Sequence, residues 1–107
     1  MSESVPIACT LDESEQRERA VELRSLGHDG LLSIDRDEQR VVLRFRPDPD
    51  IRERVERLAR AESRCCAFLR FEVADTEGAT ALTVVAPAGG EATMHELASR
   101  IAQDASA

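Results

Sequence analysis

The chain contains no lysine, asparagine, tyrosine or tryptophan. Without lysine, Schiff-base and pyridoxal chemistry is excluded. Without tyrosine there is no phenolic acid or base, and without asparagine no Asn-assisted triad. Phe45, Phe68 and Phe71 alone supply the large aromatic rings, too few for a platform that stacks single-stranded nucleic acid. No apolar run approaches the roughly 20 residues that span a bilayer.

Charge is plentiful but unbalanced. Twenty-one acids stand against fourteen arginines, a net charge of −7. Such a field repels phosphate backbones and anionic membranes and favours cationic partners, so neither nucleic acid nor a membrane is expected as a partner. Arg52, Arg54, Arg57, Arg60, Arg64 and Arg70 form a local basic run, but Glu53, Glu56 and Glu62 interrupt it. A solvated helix face explains that run better than a docking site does.

The length of 107 residues, with 42% apolar and 33% charged side chains, describes one globular domain over 1–107, with 1–8 flexible and 104–107 frayed. Val5-Pro6-Ile7-Ala8-Cys9 has the look of a lipoprotein cleavage site, yet Met1-Ser2-Glu3-Ser4 supplies no positive segment ahead of it and no apolar stretch fits between. The expected location is therefore the cytoplasm. In that reducing compartment Cys9, Cys65 and Cys66 are thiols or metal ligands, not a disulfide framework.

Thr10-Leu11-Asp12-Glu13 has the form of a capping box and opens a first helix that turns Ala20, Leu23 and Leu26 inward. Its stop is expected near Gly27, with His28-Asp29-Gly30 as a turn. Leu32 and Ile34 alternate with Ser33 and Asp35, and Val41, Leu43 and Phe45 alternate with Val42 and Arg44, which predicts a hairpin with one wet side. Asp48 as N-cap and Pro49 at the first helical position open a second helix that runs to about Cys66. Leu69, Phe71 and Val73, then Leu82, Val84 and Ala86, form a second hairpin across Asp75 to Gly78. Pro87 to Gly90 breaks the chain before a last helix with Met94, Leu97, Ala98 and Ile101 on one stripe. The order α-β-β-α-β-β-α implies an α+β fold, a four-stranded, mainly antiparallel sheet with helices packed on one face. Arg17-Glu18-Arg19-Ala20-Val21-Glu22-Leu23 resembles Arg52-Glu53-Arg54-Val55-Glu56-Arg57-Leu58. A tandem αββ duplication and convergent helix-surface composition both account for that likeness.

Chemistry concentrates in Glu62-Ser63-Arg64-Cys65-Cys66-Ala67-Phe68-Leu69. At ~100° per residue, Glu62 falls near the centre of the stripe made by Ile51, Val55, Leu58 and Leu69, and Cys65 and Cys66 straddle the same stripe one turn later. A carboxylate there needs a partner, as a ligand or as the mate of a nearby arginine, or else a pKa raised by desolvation. Cys9 precedes the first helix, where the helix dipole favours a thiolate and Asp12, Glu13 and Glu15 oppose it. Three thiolates from two segments suit a soft ion: Hg(II), As(III) or Cu(I), or Zn(II) with Glu62 or a histidine as fourth ligand. No organic cofactor is indicated. Against this stands a plain alternative: buried cysteines often serve as small hydrophobes. Adjacent cysteines in regular helix also diverge, which makes them poor chelators of one ion. His28 and His95 read as surface residues, and Gly89-Gly90 as a joint with no phosphate-binding pattern around it.

Ala8-Cys9-Thr10-Leu11 together with Glu62-x-x-Cys65-Cys66-x-Phe68 resembles a family of small bacterial proteins carrying an early A-C-x-L and a later E-x-x-C-C-x-F. That family is loosely associated with mercury- and arsenic-type resistance genes. The resemblance implies that Cys9, Glu62, Cys65 and Cys66 belong to one site. Its members often place proline after the cysteine pair, where this chain has Ala67. Three functions compete: a soft-metal or metalloid binding protein for sequestration or delivery; a non-catalytic interaction domain, a homodimer for instance, whose cysteines only pack; and a thiol-dependent enzyme acting on an organometal or electrophile with Glu62 as proton donor.

Overall fold

A computed structural model describes residues 13–76 and 78–102. The order is α1 (Glu13–Gly30), β1 (Leu31–Arg36), β2 (Arg40–Phe45), α2 (Pro49–Cys65), β3 (Arg70–Thr76), β4 (Ala79–Val85) and α3 (Glu91–Ala102). The expected α+β arrangement is therefore present. The Thr10 cap, the expected flexible 1–8 and the frayed 104–107 lie outside the described residues.

The four strands form one antiparallel sheet in the order β1-β2-β4-β3. Each hairpin pairs internally, and the central β2–β4 pair joins the two. Period-2 alternation decides which face is covered. Val41, Leu43 and Phe45 on β2 are fully buried, as is Leu82 on β4, with Val84 nearly so. The intervening Val42, Arg44, Thr83 and Val85 are only half-buried. The helices lie over the first face, contributing Leu23, Leu26, Ile51, Val55, Leu58, Met94, Leu97 and Ile101 to one core.

α2 begins as its sequence dictates. Asp48 keeps an extended backbone and its side chain accepts a hydrogen bond from the Asp50 amide, with Pro49 in the first turn. The carboxylate satisfies one of the amides that a helix start leaves without a partner. Asp48→Ala is expected to lower stability by about 1 kcal/mol, read as a lower urea midpoint at unchanged slope.

Two local expectations are overturned. α1 does not stop near Gly27; it continues through His28 and Asp29 to Gly30. Its terminal carbonyls find partners on the chain that follows β2: the Arg46 side chain donates to the Asp29 carbonyl at 3.1 Å and the Arg46 amide to the Gly30 carbonyl at 2.8 Å. With no intervening turn, β1 starts directly at Leu31, and a register shift between Leu31 and Ser33 absorbs the change of geometry. Leu31 and Ile34 then face the core, and Leu32, expected inside with Ile34, is turned out to 56% exposure.

Two arginines near the start of α2 are held in ion pairs. Arg52 binds Glu56 and Asp75, tying the start of α2 to β3, and Arg54 binds Asp29 at 2.9 Å, tying it to the end of α1. Among the described residues, no helix is long and apolar enough to cross a membrane.

Candidate metal centre

α1 and α2 lie antiparallel. Ser25 and Asp29, late in α1, meet Arg54, early in α2, and Arg19, early in α1, meets Glu62, late in α2. The first turns of α1 therefore lie beside the last turns of α2, where Glu62, Cys65 and Cys66 are found.

Glu62 is 3% exposed, a rare state for a carboxylate. The Arg19 guanidinium donates to its Oε2 at 2.9 Å, and the Cys65 thiol stands 3.8 Å from its Oε1 as donor. Among the described residues, no buried side-chain nitrogen or oxygen lacks a hydrogen-bond partner. Burial works against the Arg19 charge. The hydrogen bond to Glu62, the attraction of the Glu62 and Cys65 charges and that of Glu22 outweigh it, so the guanidinium pKa is raised above the ordinary arginine value. Of the sequence readings of Glu62, the geometry provides the ion pair, and it does so with an arginine 43 residues away.

The two sulfurs approach each other because the helix ends between them. Cys65 is the last residue of α2. Cys66 is its C-cap with φ −119° and ψ 71°, well outside helical values, while its amide still donates to the Glu62 carbonyl. That rotation brings the Cys66 sulfur to 3.7 Å from the Cys65 sulfur, a separation far beyond the ~2.05 Å of a disulfide. The divergence expected of adjacent helical cysteines is thereby removed. The exit needs no proline at Ala67: the Leu69 amide closes the turn on the Cys66 carbonyl at 3.0 Å.

Glu62, Cys65 and Cys66 thus offer one carboxylate oxygen and two sulfurs all within 4.8 Å of one another, each on a buried residue. Cys9, the fourth residue expected here, lies outside the described residues. The histidines do not join. His28 is exposed in the last turn of α1, where the sequence placed a turn, and His95 lies off the buried stripe of α3 within reach of Arg36 and the Glu38 carbonyl. Gly89, at φ 93°, makes the turn before α3, and its amide is taken by Glu91, so that helix start holds its own carboxylate.

Arg19 is the site residue that sequence reading missed. A faint signal for it existed in the repeated Arg-Glu-Arg segments, since Arg19 and Arg54 occupy equivalent places and each reaches an acid near the end of the other helix. Comparison of the chain with protein-family models, with characterised proteins and with solved structures finds no significant match.

Proposed function

We propose that this chain is a cytoplasmic soft-metal or metalloid binding protein that holds its ion on Cys9, Cys65 and Cys66, for sequestration or delivery. One observation carries the reading: two buried sulfurs and a buried carboxylate converge within 4.8 Å at a helix exit that turns both sulfurs the same way. Metal-ligating sulfur is thiolate, and Arg19 offers a positive charge that Cys65 feels when ionised. Glu62, occupied by Arg19, acts by holding the Cys65 sulfur in place. Cys9 precedes Glu13 by four residues, and the first turns of α1 lie beside the last turns of α2. The acidic surface draws cationic species toward the site.

The test is an anaerobic titration of the reduced protein with Hg(II), As(III), Zn(II) and Cu(I), followed by near-ultraviolet absorption and native mass spectrometry. With no tryptophan or tyrosine, that spectral region is nearly clear for thiolate-to-metal bands. A one-to-one complex is expected, surviving a small competing dithiol and lost in Cys9→Ser, Cys65→Ser and Cys66→Ser. A second reading rests on the burial of Cys65 and Cys66 within the hydrophobic core, at 5% and 2% exposure. There the thiols only fill space, the same replacements cost stability as core changes do, and no ion binds tightly. Failure of all four ions would leave that second reading standing.

A further inference from the structure

We infer that Cys65 and Cys66 form a reversible disulfide with each other when a small hydroperoxide reaches them, and that this bond shuts the ion site by consuming both of their thiolates. The inference rests on the metal-binding reading and adds its regulation.

Neighbouring residues on a helix point ~100° apart, which keeps adjacent cysteine sulfurs from meeting. Here α2 ends at Cys65, and Cys66, at φ −119° and ψ 71°, carries its sulfur to 3.7 Å from that of Cys65. The Cys66 amide donates to the Glu62 carbonyl at 2.7 Å, and its carbonyl accepts from the Leu69 amide at 3.0 Å. The residue is thereby fixed at the helix exit with its sulfur turned toward Cys65.

Thiolate is the reacting form of cysteine, and a positive charge nearby favours it. Arg19 and the ionised Cys65 sulfur attract each other, and Glu62 Oε1, 3.8 Å from the same sulfur, orients its thiol. Cys65 is therefore the attacking sulfur and Cys66 the resolving one. At 5% and 2% exposure the pair is closed to bulky disulfides, so the oxidant it takes is a small peroxide.

Hydrogen peroxide balances the chemistry. The Cys65 sulfur attacks one peroxide oxygen: an S–O bond forms, the O–O bond breaks, and the other oxygen leaves as water with the thiol proton. Cys65 is then a sulfenic acid, the rung from which a second thiol makes a disulfide. The Cys66 sulfur attacks the Cys65 sulfur, an S–S bond forms, the S–O bond breaks, and a second water leaves with the Cys66 proton. Both thiols are oxidised and one peroxide is reduced to two waters.

The product is readily reversed. Adjacent Cα atoms stand ~3.8 Å apart across a trans peptide, short of the ~4.4–6.8 Å usual for a disulfide. Such a bond is strained, and strained disulfides are the easily reduced, regulatory kind. While it lasts neither sulfur is a thiolate, and thiolate is the form that ligates.

The experiment adds equimolar hydrogen peroxide to the reduced protein and to Cys9→Ser, then blocks remaining thiols and digests with trypsin. The chain has no lysine, so cleavage after Arg64 and Arg70 keeps Cys65 and Cys66 together in residues 65–70 and leaves Cys9 in residues 1–17. In both proteins fragment 65–70 is expected to be two hydrogens lighter, and to regain them with a phosphine reductant. Native mass spectrometry with Hg(II) as the probe should give a one-to-one complex for the reduced parent protein, none after oxidation, and its return after reduction and desalting. A fragment 65–70 that is linked to 1–17, carries added oxygen or stays reduced overturns the disulfide inference, and Hg(II) binding by the reduced protein then leaves the metal-binding reading intact. Hg(II) binding that survives the disulfide overturns the closure of the site alone. No Hg(II) complex in either state overturns that closure and counts against the metal-binding reading itself.

Discussion

Gly27→Ala is expected to destabilise the domain by about 2 kcal/mol or more, although alanine is the better helix former. In an exposed helix the change would gain about 1 kcal/mol. Gly27 sits instead where α1 crosses α3, and a Cβ built there would lie 1.6 Å from the carbonyl oxygen of Ile101 and 2.7 Å from its carbon. The obstacle is backbone, which cannot rotate aside, so one helix must move away from the other. Overpacking of this kind costs about 1–3 kcal/mol, at times more, and so severe an overlap falls at the upper end, enough to outweigh the propensity gain. Gly30→Ala is the control. There the new methyl would meet side-chain carbons of Ile51 at 3.0 Å, which can adjust, and the loss should stay below about 1 kcal/mol. Thermal unfolding of the two variants side by side checks the contrast. An increase in melting temperature for Gly27→Ala would mean that α1 and α3 do not approach as described.

The same residue explains part of what the sequence withheld. A glycine followed by His28 and Asp29 has the signature of a helix stop, and close helix crossing selects glycine just as strongly. Conformation separates the two: among the described residues, positive φ occurs only at Gly78 and Gly89, so Gly27 does not form a left-handed cap. The displaced helix end then moved the phase of β1 and turned Leu32 outward. Where local signals agreed, the reading held. Asp48-Pro49 set the start of α2, the alternation of Val41, Leu43 and Phe45 set the buried face, and helical spacing placed Glu62 beside Cys65. The pairing of β2 with β4 and the choice of Arg19 for Glu62 depend on contacts between distant segments, which no local pattern encodes.

The sheet order β1-β2-β4-β3 maps onto itself when the two αββ halves are exchanged. The ion pairs follow the same exchange, Arg19 to Glu62 and Arg54 to Asp29. What breaks the symmetry is burial. Asp29 remains 43% exposed while Glu62 is 3% exposed, so equivalent arginines serve a solvated tie at one end of the helix pair and a buried one at the other. The exposed pair contributes at most about 1 kcal/mol. The buried pair decides far more.

Arg19→Ala is accordingly expected to cost about 2–3 kcal/mol. Removing one partner of a buried pair typically costs 3–5 kcal/mol, because the remaining charge is left uncompensated, and the 22% exposure of Arg19 lets water return part of that. For a domain of about this length the loss corresponds to a fall of roughly 10–20 °C in melting temperature. Replacing both partners by apolar side chains, Arg19→Met with Glu62→Leu, should recover most of the loss, since neither charge then requires burial. A double-mutant cycle over these positions in urea reads the coupling directly. Single-variant losses below about 0.5 kcal/mol, the range of a solvated surface pair, would show that water reaches Glu62. Losses of the expected size in both single variants, with recovery in the double, would establish that Arg19 is what allows a carboxylate to stand beside Cys65 and Cys66 in the core.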